Sequence, residues 1–399
     1  MPTRLASTRS ARLLGFAALA AVVGLLASGC ANAGGDASGS TADPASPEVT
    51  RPAAPEGELP AELRDELQAA LDTVMAEYDV PGAAAGVWIP GQGSWTTATG
   101  LANVEENTPV TTDMSWPIRS ITKAYTVTLI LQLADEGQLS LDDTIDQYVD
   151  GITNGDRITL LELANMSSGN ADYVTRAFQD EFEADPAKLY TLDELNSFVI
   201  DEPAQFEPGA EYLYTNANTN LLGAVIEQVT GQPYAEALDA RILSPLGQTG
   251  TTYLTDAAAW AGPHPTGYVI DDGSAIAMDE NSSILGPAGS LFSTLDDGRA
   301  WAETLGEGHL LKPETQELRE IGHEIPKPPY DLYAVGMGET NGWRGHNGEG
   351  LGFTAATFYD PASGASIVVY MNVSNNPDAH PADQGFRALA GVLANGAGA

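Results

Sequence analysis

Residues 115–137 read SWPIRSITKAYTVTLILQLADEG and place Ser120 and Lys123 directly ahead of a long apolar run. Apolar residues occupy the whole circumference of the run from 121 to 134 rather than one stripe, which is the pattern of a helix inside a core. A lysine in the first turn of a buried helix is costly unless it has a partner or a chemical task. The stretch therefore predicts a buried helix that begins with a polar pair.

Ser120 and Lys123 are three residues apart and share a face of this helix. A serine hydroxyl attacks a carbonyl only if a base removes its proton, and a lysine can serve when desolvation lowers its pKa. The helix N-terminus disfavours the ammonium and presents backbone N–H groups to a developing oxyanion. The other interpretation is a helix cap followed by a surface charge, and the motif alone does not decide between the two.

Periodicity elsewhere predicts further elements. Residues 61–79 and 383–396 have the pattern of helices. Residues 80–103 and 352–372 each contain two apolar runs around a turn, which indicates two β-hairpins. The region from the end of the buried helix to about residue 285 is predicted to be mixed, mainly helical and loop-rich. These elements predict an α+β fold, within the broad α/β class: an antiparallel β-sheet from N- and C-terminal segments, flanked by helices, with an inserted, mainly helical lobe.

Residues 1–30 have the pattern of an export signal, with three arginines and no acid before an apolar run that ends in small residues. The end of the run, LLASGC, resembles a lipoprotein signal in which Cys30 is the lipidation site. Ala27 stands where such signals usually have Leu, which leaves an ordinary cleaved signal or an uncleaved anchor open. All three interpretations place the rest of the chain outside the cytoplasm, lipid-anchored to the membrane or secreted.

Residues 31–59 are rich in Ala, Gly, Ser and Pro and predict a disordered linker, and residues 60–399 are long enough for one large domain. The formal net charge of −38 argues against nucleic acid and anionic lipid headgroups as partners, so we expect membrane contact through a lipid anchor only. The single cysteine excludes an intramolecular disulfide. Neither it nor the scattered histidines have metal-ligand spacing, so neither a metal nor another cofactor is expected.

Two more segments carry candidate functional residues. Tyr214 and Asn216 stand just before the apolar helical run LLGAVIEQV, where Asn216 could be only an N-cap and Tyr214 a half-buried aromatic. His346 lies in GWRGHNGEGLGF, and a glycine-rich segment lets a backbone come close to a ligand or to another part of the chain.

Together these segments resemble the three motifs of the serine β-lactamase and penicillin-binding protein superfamily: Ser-x-x-Lys at 120–123, Tyr-x-Asn at 214–216 and His-x-Gly at 346–348. The likeness is to class C β-lactamases, the D-alanyl-D-alanine carboxypeptidases similar to them, and related esterases and D-aminopeptidases. It runs through almost all of residues 61–395. It includes the stretches VPGAAAGV, ITLLELANMSSGNADY, FEPGAEYLYTNANTNLLGAVIEQVTG and GHNGEGLGF.

The resemblance implies a role for each residue that matches a motif. Ser120 would be the acylated nucleophile, Lys123 its partner in the base system, and Tyr214 the phenol that passes the proton to the leaving group. Two potentially cationic neighbours would favour the phenolate of Tyr214. His346 would stand in place of the lysine that more often begins the third motif. Substrate binding is implied for Asn216, Asn347, Gly348 and Glu349. The backbone N–H groups of Ser120 and Glu349 would form the oxyanion hole.

The function that the resemblance implies is a serine hydrolase that forms an acyl-enzyme on amide or ester bonds, D-alanyl-D-alanine carboxypeptidase-like or β-lactamase-related. Its substrates would be a peptidoglycan stem peptide, a β-lactam, or a small ester or amide. Asn347 stands where the family usually has Thr or Ser to help hold a substrate carboxylate, which favours an esterase or D-aminopeptidase acting on neutral or amine-bearing substrates. A penicillin- or peptide-binding lipoprotein without turnover is the remaining alternative.

Overall fold

The computed structural model describes residues 49–325, 329–374 and 380–396. The predicted signal at residues 1–30, with Cys30, and the predicted linker as far as residue 48 lie outside these ranges.

Fourteen strands occur in the described ranges. They are β1 (Gly82–Ile89), β2 (Gly93–Asn103), β3 (Thr108–Pro109), β4 (Trp116–Pro117), β5 (Thr252–Tyr253), β6 (Gly267–Asp271), β7 (Ser274–Met278), β8 (Leu291–Ser293), β9 (His323–Glu324), β10 (Leu332–Tyr333), β11 (Gly338–Thr340), β12 (Trp343–Gly350), β13 (Phe353–Tyr359) and β14 (Ser366–Met371). Nine of them form one antiparallel sheet in the order β3-β2-β1-β14-β13-β12-β11-β10-β9. The others form a three-stranded sheet, β4-β8-β5, and a β6-β7 hairpin.

The two predicted hairpins form the centre of the large sheet. Within the described ranges, the first strand, β1, pairs with the last, β14, in a register that places Ala83 opposite Met371 and Trp88 opposite Ser366. Strands β1, β13 and β14 are buried along their whole length, since both faces of the sheet are covered. The prediction of an antiparallel sheet built from N- and C-terminal segments is confirmed.

Ten α-helices occur in the described ranges: α1 (Ala61–Glu77), α2 (Thr122–Asp135), α3 (Leu160–Ala164), α4 (Arg176–Ala184), α5 (Leu192–Ser197), α6 (Asn216–Thr230), α7 (Tyr234–Leu238), α8 (Leu295–Glu307), α9 (Pro313–Arg319) and α10 (Pro381–Gly396). Helices α1 and α10 pack on one face of the sheet and α8 on the other. Helices α3 to α7 lie in the region after α2 that the sequence predicts to be the mainly helical insertion. No helix in these ranges is long and apolar enough to cross a membrane.

Helix α2 is the buried helix that the sequence predicts. Every residue from Thr122 to Leu131 is buried, and the helix packs against α6 and α7. Burial on all sides explains why its apolar residues show no single stripe. Because α2 is held from every side, the turn that precedes it has a fixed position relative to β12, with which that turn is in contact.

The described part of the predicted linker, residues 49–59, is packed against the domain. Arg51 forms ion pairs with Asp296 and Asp297 at 2.6 and 2.7 Å, and Leu59 is buried. The backbone N–H of Leu59 donates to Ser94 O at 2.9 Å, which adds this segment to the edge of β2. The apolar burial that defines the domain therefore begins before residue 60.

Candidate active site

Ser120 lies in a 3-10 turn, Arg119–Ile121, that leads directly into α2. Strand β12 crosses this turn at Gly348. A Cβ at Gly348 would lie 2.3 Å from Ile118 O and 2.9 Å from the backbone N of Ser120, so only glycine fits there. The glycine-rich third motif thus brings its backbone against the backbone of the predicted nucleophile.

The Lys123 side chain is fully buried and directed at Ser120. Its Nζ donates to Ser120 Oγ at 3.0 Å, to Asn216 Oδ1 at 2.8 Å and to Ala288 O at 2.9 Å. Burial lowers the pKa of Lys123 to about 7, although the negative charge of Asp172 acts in the opposite direction. A substantial fraction of Lys123 is therefore uncharged at neutral pH, and the uncharged amine can accept the proton of Ser120.

Tyr214 and Asn216 reach the same site from the start of α6. The N-cap of α6 is Thr215, whose side chain accepts from Asn218 N, so Asn216 is the first helical residue and not the cap. Asn216 binds Lys123 with its side-chain oxygen and donates to Asp172 Oδ2 from its backbone N at 3.1 Å and from Nδ2 at 3.3 Å. Asn216 therefore links the lysine to a carboxylate.

The electrostatics around Tyr214 correct one expectation. Burial raises the pKa of Tyr214, while a hydrogen bond with Ser120 lowers it by less. Lys123 Nζ lies 5.0 Å from the centre of the Tyr214 ring, but burial also pushes Lys123 toward its neutral form. The expected phenolate is wrong for the resting site: Tyr214 is a neutral phenol, because the desolvation that makes Lys123 a base also disfavours a tyrosinate.

His346 lies in β12 and is buried among tyrosines. Its Nε2 lies 3.2 Å from the Tyr333 hydroxyl and its Nδ1 lies 3.0 Å from the Tyr330 hydroxyl. Burial lowers the pKa of His346 to about 3, with Lys123 adding to the effect. His346 is therefore neutral, and it does not supply the positive charge of the lysine that it replaces in the family pattern.

The two polar residues that flank Gly348 are both engaged by other side chains. Asn347 accepts a hydrogen bond from the Tyr330 hydroxyl at 2.6 Å. Glu349 Oε2 lies 2.7 Å from His380 Nδ1, and although burial opposes protonation, the contact with Glu349 raises the pKa of His380. Glu349 is thus paired with His380 and favours the protonated form of that histidine.

Sequence reasoning missed several residues of the site, namely Arg119, Asp172, Glu280, Tyr330 and Tyr333. Asp172 ends the stretch NMSSGNAD, whose pattern gives no sign that its carboxylate reaches Asn216. Arg119 donates to Glu280 at 2.6 and 3.1 Å, but 161 positions separate the two residues in the chain. Contacts over such separations leave no local signal.

The charges that surround Ser120 follow from these contacts. In the described part of the chain, Arg119 is paired with Glu280 and His380 with Glu349, and His346 is neutral. Among the described residues, Asp172 accepts hydrogen bonds only from N–H groups of Asn216 and Tyr173, so its carboxylate has no direct cationic partner within those ranges. Within the same ranges, no three His, Cys, Asp or Glu side chains come together as metal ligands would.

Comparison with known proteins gives consistent matches. The Beta-lactamase family model matches residues 67–392. A D-aminopeptidase from Brucella anthropi is 30% identical over 238 residues, 59% of this chain and only 44% of that protein's length. A D-stereospecific amidohydrolase from Streptomyces sp. is 29% identical with a TM-score of 0.71, over 82% of this chain and 98% of that one. The D-amino acid amidase from Ochrobactrum anthropi SV3, complexed with L-phenylalanine amide, is 22% identical with a TM-score of 0.73, over 84% and 100%, which shows a shared fold.

Proposed function

This chain belongs to the beta-lactamase family and is a serine hydrolase, and we propose that it hydrolyses amides of D-amino acids or short D-amino-acid peptides whose amino group is free. The observation that carries the proposal is the charge around Ser120: in the part of the chain that the structure describes, the carboxylate of Asp172 lacks a cationic partner, while Arg119 is neutralised by Glu280. An ammonium group beside the scissile amide complements this pattern, and a carboxylate does not.

The acylation step begins at Lys123. Its uncharged amine, 3.0 Å from Ser120 Oγ, takes the hydroxyl proton as the oxygen attacks the carbonyl carbon. The oxyanion that forms is stabilised by the N–H groups of Ser120 and Glu349. Gly348 contacts the turn Arg119–Ile121, the nucleophile turn, and this contact holds the two N–H groups near each other. The new charge therefore develops where backbone donors are already oriented.

Tyr214 completes the proton transfer as a neutral phenol. It donates its proton to the departing nitrogen and regains one from the lysine ammonium, which restores Lys123 for the second half of the reaction. Water then attacks the acyl-enzyme by the same route in reverse, releases the acid and regenerates Ser120. A high pKa suits Tyr214 to this role, since it must be protonated when the leaving group departs.

Carboxypeptidase or β-lactamase action, on a peptidoglycan stem peptide or a β-lactam, is the second candidate, supported by the family. Substrates of both kinds carry a carboxylate, which those enzymes hold with a cation and hydroxyl groups of the third motif. Here the corresponding residues are a neutral histidine and Asn347, whose side-chain oxygen already accepts from Tyr330. A carboxylate-bearing substrate would thus meet no unpaired cation among the described residues of the site, which places this candidate second.

The test compares substrates that differ by one charge. We expect D-alanine p-nitroanilide to be cleaved with kcat/KM at least about tenfold above that of N-acetyl-D-alanine p-nitroanilide, because only the free ammonium pairs with Asp172. L-alanine p-nitroanilide carries the same ammonium, so slower cleavage of that isomer tests the preference for the D-configuration separately. Asp172→Asn should remove the preference for the free amine. Ser120→Ala should abolish cleavage of all substrates with little change in melting temperature, since no side-chain capping hydrogen bond is present at the start of the 3-10 turn or of α2 for the substitution to remove.

Each contrary result has its own meaning. Equal cleavage of the acetylated substrate, or faster release of D-alanine from an N-blocked D-alanyl-D-alanine peptide, would favour the carboxypeptidase candidate. Rapid turnover of p-nitrophenyl esters alone would indicate an esterase. A penicillin adduct on Ser120 that never releases would indicate a binding protein.

We also propose that the enzyme works outside the cytoplasm, tethered through a lipid on Cys30. The support is the sequence of residues 1–30 alone. In cells fed a labelled fatty acid, the native protein should take up label and Cys30→Ala should not. No labelling of either protein would instead support simple secretion, and equal labelling of both would place the lipid at another residue.

A further inference from the structure

We propose that Arg119 is a positioning residue for catalysis: its guanidinium, fixed by Glu280, joins the nucleophile turn to the end of β12 and so sets the spacing between Ser120 and the backbone N–H of Glu349. The inference rests on the acyl transfer at Ser120 proposed above. In this arrangement Arg119 keeps the two N–H donors of the oxyanion hole, those of Ser120 and Glu349, at a fixed distance from each other.

Arg119 occupies a conformation that its residue type rarely adopts. Its φ is +52°, in the left-handed region where glycine is favoured, and its side chain is only 1% exposed. An arginine is seldom found either in this conformation or at this depth, and here both occur in the residue next to the nucleophile. Such strain persists only when the surroundings enforce it, and it concentrates at functional sites.

The guanidinium of Arg119 has three anchors. Its Nη1 and Nη2 donate to the two oxygens of Glu280 at 3.1 and 2.6 Å, and its Nε donates to Gly350 O at 3.0 Å. Its central carbon lies 5.4 Å from the centre of the Phe353 ring. Gly350 and Phe353 are paired residues where β12 turns into β13, so Arg119 is attached to that turn.

These anchors enclose Glu349. Gly348 packs directly on Ser120 N and the Arg119 Cβ, while Gly350 receives the hydrogen bond from the Arg119 side chain. The residue between them carries the second N–H of the expected oxyanion hole. If Arg119 releases Gly350, the strand is still in contact at Gly348 but its end is free to move away from Ser120.

Binding Glu280 and Gly350 at the same time requires the planar guanidinium group of an arginine. One guanidinium binds a carboxylate through two parallel bonds and still has Nε available for the carbonyl, whereas a lysine ammonium is a single point. We therefore expect Arg119→Lys to behave much more like Arg119→Met than like the native protein. Glu280→Gln keeps the shape of the side chain that binds Arg119 but removes the negative charge that orients the Arg119 guanidinium.

Arg299 supplies a matched control. It is equally buried, with a side chain 1% exposed, and it pairs with Glu303 at 3.2 Å and with Pro52 O at 2.9 Å. It lies on α8 and has no hydrogen bond or ion pair with a residue of the site. Arg299→Met thus removes a buried arginine of the same kind without touching the nucleophile turn.

The experiment measures two quantities for each folded variant: the single-turnover rate of acylation by an activated ester, and the affinity for an aryl boronic acid. The boronic acid forms a tetrahedral adduct with Ser120 and places one oxygen in the oxyanion hole, so its affinity reports that hole and not global stability. For Arg119→Met and Glu280→Gln we expect both quantities to fall roughly 10- to 100-fold, with the pH profile unchanged. Arg299→Met should lower the melting temperature and change neither quantity.

The inference is overturned if Arg119→Met and Glu280→Gln keep both quantities within about threefold of native. It is also overturned if Arg299→Met reduces them as much, because the effect would then be a general loss of stability. Should Arg119→Met fail to fold, Glu280→Gln alone decides. Retained activity in Ser120→Ala would instead refute the acyl-transfer mechanism, so the two failures are distinguishable.

Discussion

Lys123 destabilises the fold and enables the chemistry for one physical reason, the absence of solvent around its amine. Its pKa falls from 10.5 in an exposed lysine to about 7, so between these values the unfolded chain binds a proton that the folded chain does not. Stability therefore rises with pH across this window, and the penalty of burying Lys123 is greatest below pH 7. The same shift supplies an uncharged base at neutral pH.

The pH profile of kcat/KM tests this assignment. Lys123 must be uncharged to accept the Ser120 proton, so activity should rise with pH and level off above an apparent pKa of about 7, and should fall about tenfold per pH unit well below it. His346 should add no inflection near pH 6, since burial keeps it neutral. Stopped-flow hydrolysis of a chromogenic ester, whose charge is constant over the range, is the measurement.

Asp172→Asn provides a control with a defined sign. The negative charge of Asp172 favours the ammonium form of Lys123, so its removal should move the apparent pKa below its native value. A rise of the apparent pKa, or a native profile centred near 10, would mean that Lys123 is not the base.

At the scale of single residues, the sequence was informative where function follows from spacing along one helix. Ser120 and Lys123 are a turn apart, so their contact could be predicted from the spacing alone. The neutral state of Tyr214 could not be predicted, because it depends on burial by residues distant in the chain, such as Tyr333 and His346. The charge states of the residues in this site therefore depend on tertiary packing, which the local sequence does not reveal.

Elements with strong apolar periodicity were predicted correctly, and those without it were missed. The hairpin β1–β2, the hairpin β13–β14 and helix α2 all carry dense apolar runs and lie where the sequence places them. Strand β12 reads WRGHNGEG, which shows neither alternation nor an apolar run, yet it is a full sheet member paired along β13. It is a strand because its neighbours hold it, and its glycines permit contact with the nucleophile turn.

The strands at the edge of the sheet were also not predicted from the sequence. Strands β9, β10 and β11 have two or three residues each and extend the sheet beyond β12. Such short strands give too little pattern to recognise. They nevertheless matter to the site, because the segment that carries them supplies Tyr330 and Tyr333, which surround His346.

At the scale of the whole molecule, composition predicts a domain that begins near residue 60, whereas packing begins earlier. The segment 49–59 has the composition of a linker, yet Arg51 reaches Asp297, whose side chain is 5% exposed and also accepts hydrogen bonds from Gly250 and Thr251. Leu59 is buried against the same domain. Composition reports how few apolar residues a segment has, not whether those few are used.

A comparison of two chain lengths tests the importance of this segment. A chain that starts at residue 60 loses the Arg51–Asp297 ion pair and the burial of Leu59, so it should melt about 5 °C below a chain that starts at residue 49, because a buried carboxylate then lacks its cation. Arg51→Met in the longer chain separates the two contributions, since it removes the ion pair and keeps Leu59. We expect that variant to melt between the two chains, with kcat unchanged in all three because Arg51 contacts no residue of the site. Equal melting temperatures for the two chain lengths would show that residues 49–59 contact the domain without stabilising it. The stable domain would then begin at residue 60, where the composition places its boundary.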